Sequence, residues 1–313
     1  MKKIAVCLPQ DLGGVVDSLP FLMELCECYA DENKIEFSII CPKEYTELME
    51  VIPYEIDIYP FDVDKEGSIP GVHKYAVNLK HVYNIDAFFT LPDEYYAALM
   101  GLCFRATDRV GYHHLFKKGT LTHAYEVPDT IPSSEKYLRL LDNYFEKKVS
   151  RKTITSRRTK PYYQDHAENR YFAVGITSKN NTKWLDPGWW ADFFNDFDGE
   201  RFVFLGSLKD EAYIHSVIEQ LGDQNKYINL AGQTTFKEMI SIMSYAQGSI
   251  AYSRGFGSVS ALFKCPVLMF AQSDNDLPNF TVGKSIRFDR TSDRIVMVDR
   301  LYKLVDEVRF SGN

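Results

Sequence analysis

The chain has 313 residues, 45% of them hydrophobic and 25% charged, with a formal net charge of −7. That is enough apolar material for two ordinary domains, and the acidic balance excludes a generic nucleic-acid binder, which needs a basic face to displace counterions. No stretch approaches the about 18 uncharged apolar residues of a membrane span, and Pro9, Gln10 and Asp11 cut the first apolar run short of a signal peptide.

Predicted strands at residues 4–8, 37–41, 55–61, 85–91 and 109–112 alternate with predicted helices at 14–30, 44–52 and 94–104. Short β-branched and aromatic runs there give way to apolar residues at helical spacing. A helix at 133–148 closes this half, with Ser133 or Ser134 as its N-cap and Glu135 in its first turn. Residues 151–168 are polar and basic without apolar periodicity, and read as a linker between a domain of residues 1–150 and one of residues 169–313. The alternation resumes with strands at 171–177, 201–206, 227–232, 248–252 and 266–271, and helices at 188–197, 210–222, 234–246 and 257–264. A last amphipathic helix, 292–310, is expected to pack back on the first domain. Such alternation implies parallel sheets wound by right-handed crossovers: two Rossmann-like, doubly wound α/β domains facing a cleft, with ligands at the carboxyl ends of the strands.

Six cysteines, Cys7, Cys26, Cys28, Cys41, Cys103 and Cys265, lie mostly inside apolar patterns and without zinc-site spacing. Buried free thiols in a reducing cytoplasm are the expectation, with no metal and no cofactor.

Four stretches carry candidate chemistry. "QDLGGVVDSLP", residues 10–20, puts the Gly13–Gly14 pair between a strand and a helix, flanked by Asp11 and Asp17. "SKNNTKWLDPGWW" follows a strand ending near Thr177 and Ser178 and brings Lys183; hydroxyls and amines near a helix N-terminus suit a phosphate. Asp210 opens a helix, where an acid either favours the helix dipole or binds ribose hydroxyls. "AYSRGFGSVSALFKCP" ends a strand at Tyr252 and brings Ser253, Arg254 and Gly255 to the next helix, a place where glycine admits a ligand and a guanidinium suits a pyrophosphate.

In order and spacing these stretches resemble glycosyltransferase family 9, the ADP-heptose:lipopolysaccharide heptosyltransferases. "LGGVVDSLPFLMELCE", "DRVGYHH", "KWLDPGWWADF" and "YINLAGQTTFKEMISIMSYAQGSIAYSRGFGSVSALFKCPVLMFAQSD" carry the likeness. The resemblance implies a GT-B fold, with a nucleotide sugar (ADP-heptose is the expected donor) on the second domain and a saccharide acceptor, such as a lipopolysaccharide core, on the first. Four hallmarks depart from the pattern. The family's catalytic Asp falls on Gly14, its phosphate Lys on Thr182 with Lys183 one place late, its Asp-Ser pair on Ser253 and Arg254, and its His on Ser258. Its ribose acid falls on Asp210, while Thr177, Ser178, Gly255 and Asp274 are compatible.

Inverting transfer needs a carboxylate to take the acceptor's proton and a cation for the leaving diphosphate. Asp17, one turn beyond Gly14, or Asp11 would be the relocated base, and Arg254 the relocated cation. A transferase for another nucleotide sugar, or a non-catalytic binding or scaffold protein on the same fold, are the alternatives. The basic cluster Arg151, Lys152, Arg157, Arg158 and Lys160 is either a solvated linker or a peripheral contact to anionic lipid on the inner face of the membrane.

Overall fold

The computed structural model describes all residues except 1, 33, 80–81, 114–118, 129, 155–169, 178–184, 198, 272–273, 282 and 311–313. The chain divides into two compact units, residues 1–152 and 153–313.

In the first unit, β1 (Lys2–Cys7) leads into α1 (Leu12–Cys28), then β2 (Ile35–Pro42), a 3-10 helix at Lys43–Val51 and β3 (Asp57–Phe61). There follow α2 (Val63–Glu66), α3 (Ile69–Asn78), β4 (Ala87–Thr90), α4 (Tyr95–Cys103), β5 (Asp108–Tyr112), β6 (His123–Tyr125) and α5 (Ser133–Tyr144). Its six strands lie in the order β3-β2-β1-β4-β5-β6, all neighbours parallel. Val6 faces Ile39 on one side and Phe89 on the other. This central strand is buried on both faces, which is why "IAVC" is an unbroken apolar run. Helix α1 packs on α5 and α3 on α4. One core gathers Phe61, Tyr75, Phe88, Tyr96, Met100 and Phe104.

The second unit repeats the plan with β7 (Phe172–Gly175), α6 (Pro187–Asn195), β8 (Phe202–Phe204), α7 (Glu211–Ile218), β9 (Tyr227–Asn229) and α8 (Phe236–Tyr245). It continues with β10 (Gly248–Ala251), α9 (Arg254–Leu262), β11 (Val267–Phe270), β12 (Ser285–Phe288) and α10 (Arg294–Phe310). The order is β12-β11-β10-β7-β8-β9, again parallel throughout. Trp190, Phe172, Phe193, Phe194 and Phe202 fill its core at 0–1% exposure, so the aromatic enrichment is mainly packing. In each sheet the first strand of the unit lies beside the fourth, and the winding reverses between them. That reversal opens a crevice at the carboxyl ends of β1 and β4, and of β7 and β10.

Several elements differ from the sequence expectation. Residues 44–52 form a 3-10 helix. Helix α5 takes Pro132 as its N-cap, so Ser133 and Ser134 are already helical, and it ends at Tyr144. Helix α3 and strands β6 and β12 were not expected: Pro70 and Gly71 look like breakers, yet Pro sits in the first turn behind the Ser68 cap, whose side chain accepts from the Gly71 amide. Ile154 forms a parallel bridge to Thr281 and is 5% exposed.

Candidate functional site

In the second unit the crevice lies between the ends of β7 and β10. Ile176 and Thr177 follow β7 and are buried, Thr177 at 8% exposure. Tyr252 follows β10, donates its amide to the Gly175 carbonyl at 2.7 Å and stacks on Phe270 with centroids 4.6 Å apart. Ser253 is the N-cap of α9 and accepts from the Phe256 amide at 3.4 Å. Arg254 and Gly255 form the first turn, both partly exposed. A helix N-terminus aimed along the strand ends is an anion site by its dipole and its amides. Gly175 belongs to this arrangement: a Cβ there would lie 2.5 Å from Phe256 Cδ2. Glycine at the end of β7 is what lets Phe256 seat α9 against the strand.

The equivalent crevice of the first unit starts at Leu8, whose amide is held by the Ile40 carbonyl at 3.0 Å. Pro9, Gln10 and Asp11 then form the loop, and Asp11 caps α1 by accepting from the Gly14 amide at 2.9 Å. A Cβ on Gly14 would meet Pro9 Cβ at 2.6 Å and Asp11 Oδ2 at 2.9 Å. The place a side chain at 14 would claim is therefore taken by the Pro9 ring and the Asp11 carboxylate. Beyond β4, Asp93 accepts from Lys136 Nζ at 3.1 Å, and that ammonium lies 5.3 Å from the Tyr112 ring centroid. Burial pushes the Tyr137 phenol above its ordinary value, and Asp11, Asp93 and Glu94 add to the rise.

The structure redistributes the residues singled out from sequence. Asp11 is exposed at the loop, and one of its carboxylate oxygens is spent on the cap. Asp17 corrects the expectation of a cleft-facing acid: it lies in the second turn of α1, 5% exposed and engaged within the protein. Gly13 and Gly14 are buried helical residues. Asp210 is partly exposed, and its Oδ2 accepts from the Ser207 amide and hydroxyl, both at 2.7 Å, closing a capping box at the start of α7. Ser258 is fully buried in α9, with no hydrogen-bond partner for its Oγ among the described residues, so it offers nothing to a donor at the surface. Arg254 is engaged by the protein and only partly exposed. Asp274 lies 3.4 Å from Arg287 Nε. Ser178, Lys183, Arg157, Arg158 and Lys160 lie outside the described residues.

Arg151 is ion-paired within the first unit. It reaches Glu135 at 3.1 Å and Asp142 at 2.9 Å. Among the described residues no cluster of His, Cys, Asp and Glu is placed to hold a metal, and no helix is long and apolar enough to cross a membrane. The six cysteines are free thiols. Asp93 and Lys136 are not singled out by the sequence reading, although Asp93 and Glu94 come two and three residues after an apolar strand run.

No family model and no curated protein sequence matches the chain. Solved structures do. E. coli ADP-heptose lipopolysaccharide heptosyltransferase II is similar with a TM-score of 0.78 at 16% identity, over 98% of this chain and 99% of that one. A glycosyl transferase family 9 structure from Veillonella parvula is similar with a TM-score of 0.78 at 16% identity, over 99% of this chain and 98% of that one. E. coli heptosyltransferase WaaC with ADP follows at a TM-score of 0.70 and 11% identity, over 98% of this chain and 99% of that one. The fold is therefore the two-domain α/β GT-B fold, shared along the length of these proteins.

Proposed function

We propose that this chain is a divergent glycosyltransferase of family 9, moving a sugar from a nucleotide-diphosphate donor to a saccharide acceptor with inversion. The observation that carries the reading is the end-to-end likeness to two heptosyltransferases, one of them bound to ADP. In this reading the acceptor hydroxyl oxygen forms a bond to the anomeric carbon as the bond from that carbon to the diphosphate breaks. The hydroxyl proton passes to a carboxylate and the nucleoside diphosphate leaves. Asp11 is the carboxylate best placed for this, because it is exposed at the carboxyl end of β1 while Asp17 is enclosed. The dipole of α9, with Arg254 in its first turn, supports the leaving diphosphate, and Thr177, after β7, is the hydroxyl offered to it. ADP-heptose is the proposed donor, and a lipopolysaccharide-type saccharide the proposed acceptor.

Calorimetric titration with ADP-heptose, ADP, UDP and GDP tests the donor side. Binding on the order of micromolar to the adenine nucleotides is expected, weakened by about tenfold or more in Arg254→Ala. Binding of UDP or GDP alone would transfer the reading to another nucleotide sugar. No binding to any of the four would overturn it in favour of a non-catalytic protein, the alternative that the filled space at Gly14 favours.

A further inference from the structure

Helices α3 and α4 bury their inner faces in one core, with Val72, Tyr75 and Ala76 coming from α3 and Ala97 and Met100 from α4. Their outer faces are apolar as well. Five large hydrophobic side chains are exposed among the described residues of the first unit: Ile69, Val77, Tyr95, Leu102 and Val127. All but Val127 stand on these two helices, with Ile69 at 63% exposure and Val77 at 50%. Ile69, His73 and Val77 recur every fourth residue and share one stripe of α3, and Tyr95 and Leu102, two turns apart, share one stripe of α4. Helix α4 holds no charged residue, which is the composition of a helix covered on both sides. Because α3 packs on α4 and both lie on the same core, the two stripes belong to one outer surface.

The charge on this surface is one-sided. Residues 67–85 and 95–107 contain His73, Lys74, Lys80, His81 and Arg105 and not one Asp or Glu, in a chain with 43 acidic residues and a net charge of −7. His73, Lys74 and Arg105 are exposed. Arg105 follows α4 at a φ of 54°, a left-handed position that glycine or asparagine fills with less strain, and its guanidinium lies 5.1 Å from the Tyr83 ring centroid. Most flanking acids are engaged elsewhere. Asp62 pairs with Lys65, Glu66 accepts from the Asp62 amide, Asp86 from the Lys3 amide and Asp108 from the Tyr144 hydroxyl, and Asp93 pairs with Lys136. Asp64 and Glu94 come before the first turns of the two helices. We propose that this face docks on an anionic lipid surface, with its apolar stripes in the headgroup boundary and Lys74 and Arg105 against the lipid phosphates. A second copy of the chain fits worse, because an isologous contact would bring two basic rims together. Docking through this face needs no nucleotide, so it stands or falls apart from the transferase reading.

The test is flotation of the full chain with vesicles of phosphatidylcholine alone and of phosphatidylcholine mixed with phosphatidylglycerol. The chain should bind the mixed vesicles at least about fivefold better than the neutral ones, and raised salt should narrow that difference. Ile69→Ser and Leu102→Ser, both at exposed positions, should match the wild type by circular dichroism and weaken binding by about fivefold or more each. Lys74→Glu should weaken it by about tenfold. Val127→Ser, at an exposed apolar residue outside this face, should leave it unchanged. Absence of vesicle binding would overturn the proposal, and so would equal binding by all the variants. Binding that Lys74→Glu abolishes and both serine variants leave intact would overturn it too, because charge alone would then be acting. A dimer in analytical ultracentrifugation that Leu102→Ser dissolves, without flotation of the wild type, would assign the face to a second copy instead.

Discussion

Asp11 has two roles that substitution can separate. As an N-cap it accepts from the Gly14 amide, and asparagine caps as well as aspartate. As a base it must take a proton, which asparagine does not. Asp11→Asn should therefore melt like the wild type but lose about 100-fold or more in transfer rate. Asp11→Ala should lose the same activity and about 0.5–2 kcal/mol of stability as well. A full-rate Asp11→Asn enzyme would clear Asp11 of the role. Gly14 is the complementary case. Its missing Cβ makes room for the Pro9 ring at 2.6 Å, a neighbour that cannot swing aside as a flexible side chain would. Gly14→Ala should cost about 1–3 kcal/mol in urea denaturation. For the same reason, restoring an aspartate at 14 should not simply restore a base. Reading the sequence alone, Gly14 looks like a loss; in the structure it is the condition for Pro9 and Asp11 to sit where they do.

Among the elements, α5 shows how a charged segment can be structural. Arg151 joins Glu135 in its first turn to Asp142 near its end, and Asp142 also accepts from the Val149 amide at 2.7 Å. Burial raises the Asp142 carboxyl, but the Arg151 guanidinium and the Val149 amide outweigh it and hold the group below its ordinary value. A carboxyl depressed in the folded state stabilises above its unfolded value, about 3.9, and that contribution is lost as pH falls through the lower folded value. Arg151→Met should therefore cost about 1–2 kcal/mol at neutral pH, with the gap to wild type closing below about pH 4 in urea denaturation. A pH-independent gap would mean that the arginine acts by packing alone. This clamp was not legible in the sequence, where Arg151 opens a basic run, because its partners lie on a helix that local periodicity cannot bring back to it. The strands themselves were legible, since β1, β4, β7 and β10 are short, largely apolar runs. Helix α3 was hidden by Pro70 and Gly71, and β6 and β12 by being short and half polar.

At the scale of the whole molecule, the duplicated winding gives each unit its own sheet, core and crevice, and the sequence places the spectroscopic probes unevenly. All three tryptophans, Trp184, Trp189 and Trp190, fall in the second unit. Trp190 is fully buried, and Trp189 stacks on Phe193 and Phe288 with planes within 12°. Tryptophan fluorescence therefore follows the second unit, while far-ultraviolet circular dichroism follows helices of both. A ligand stabilises the unit that binds it, by about 2.7 kcal/mol at one hundred times its Kd. ADP at that excess should shift the fluorescence-detected urea midpoint upward. A midpoint that moves by circular dichroism and stays fixed by fluorescence would place the nucleotide on the first unit. That result would reverse the proposed roles of α9 and the Asp11 loop, because the helix dipole and Arg254 would then have no diphosphate to stabilise.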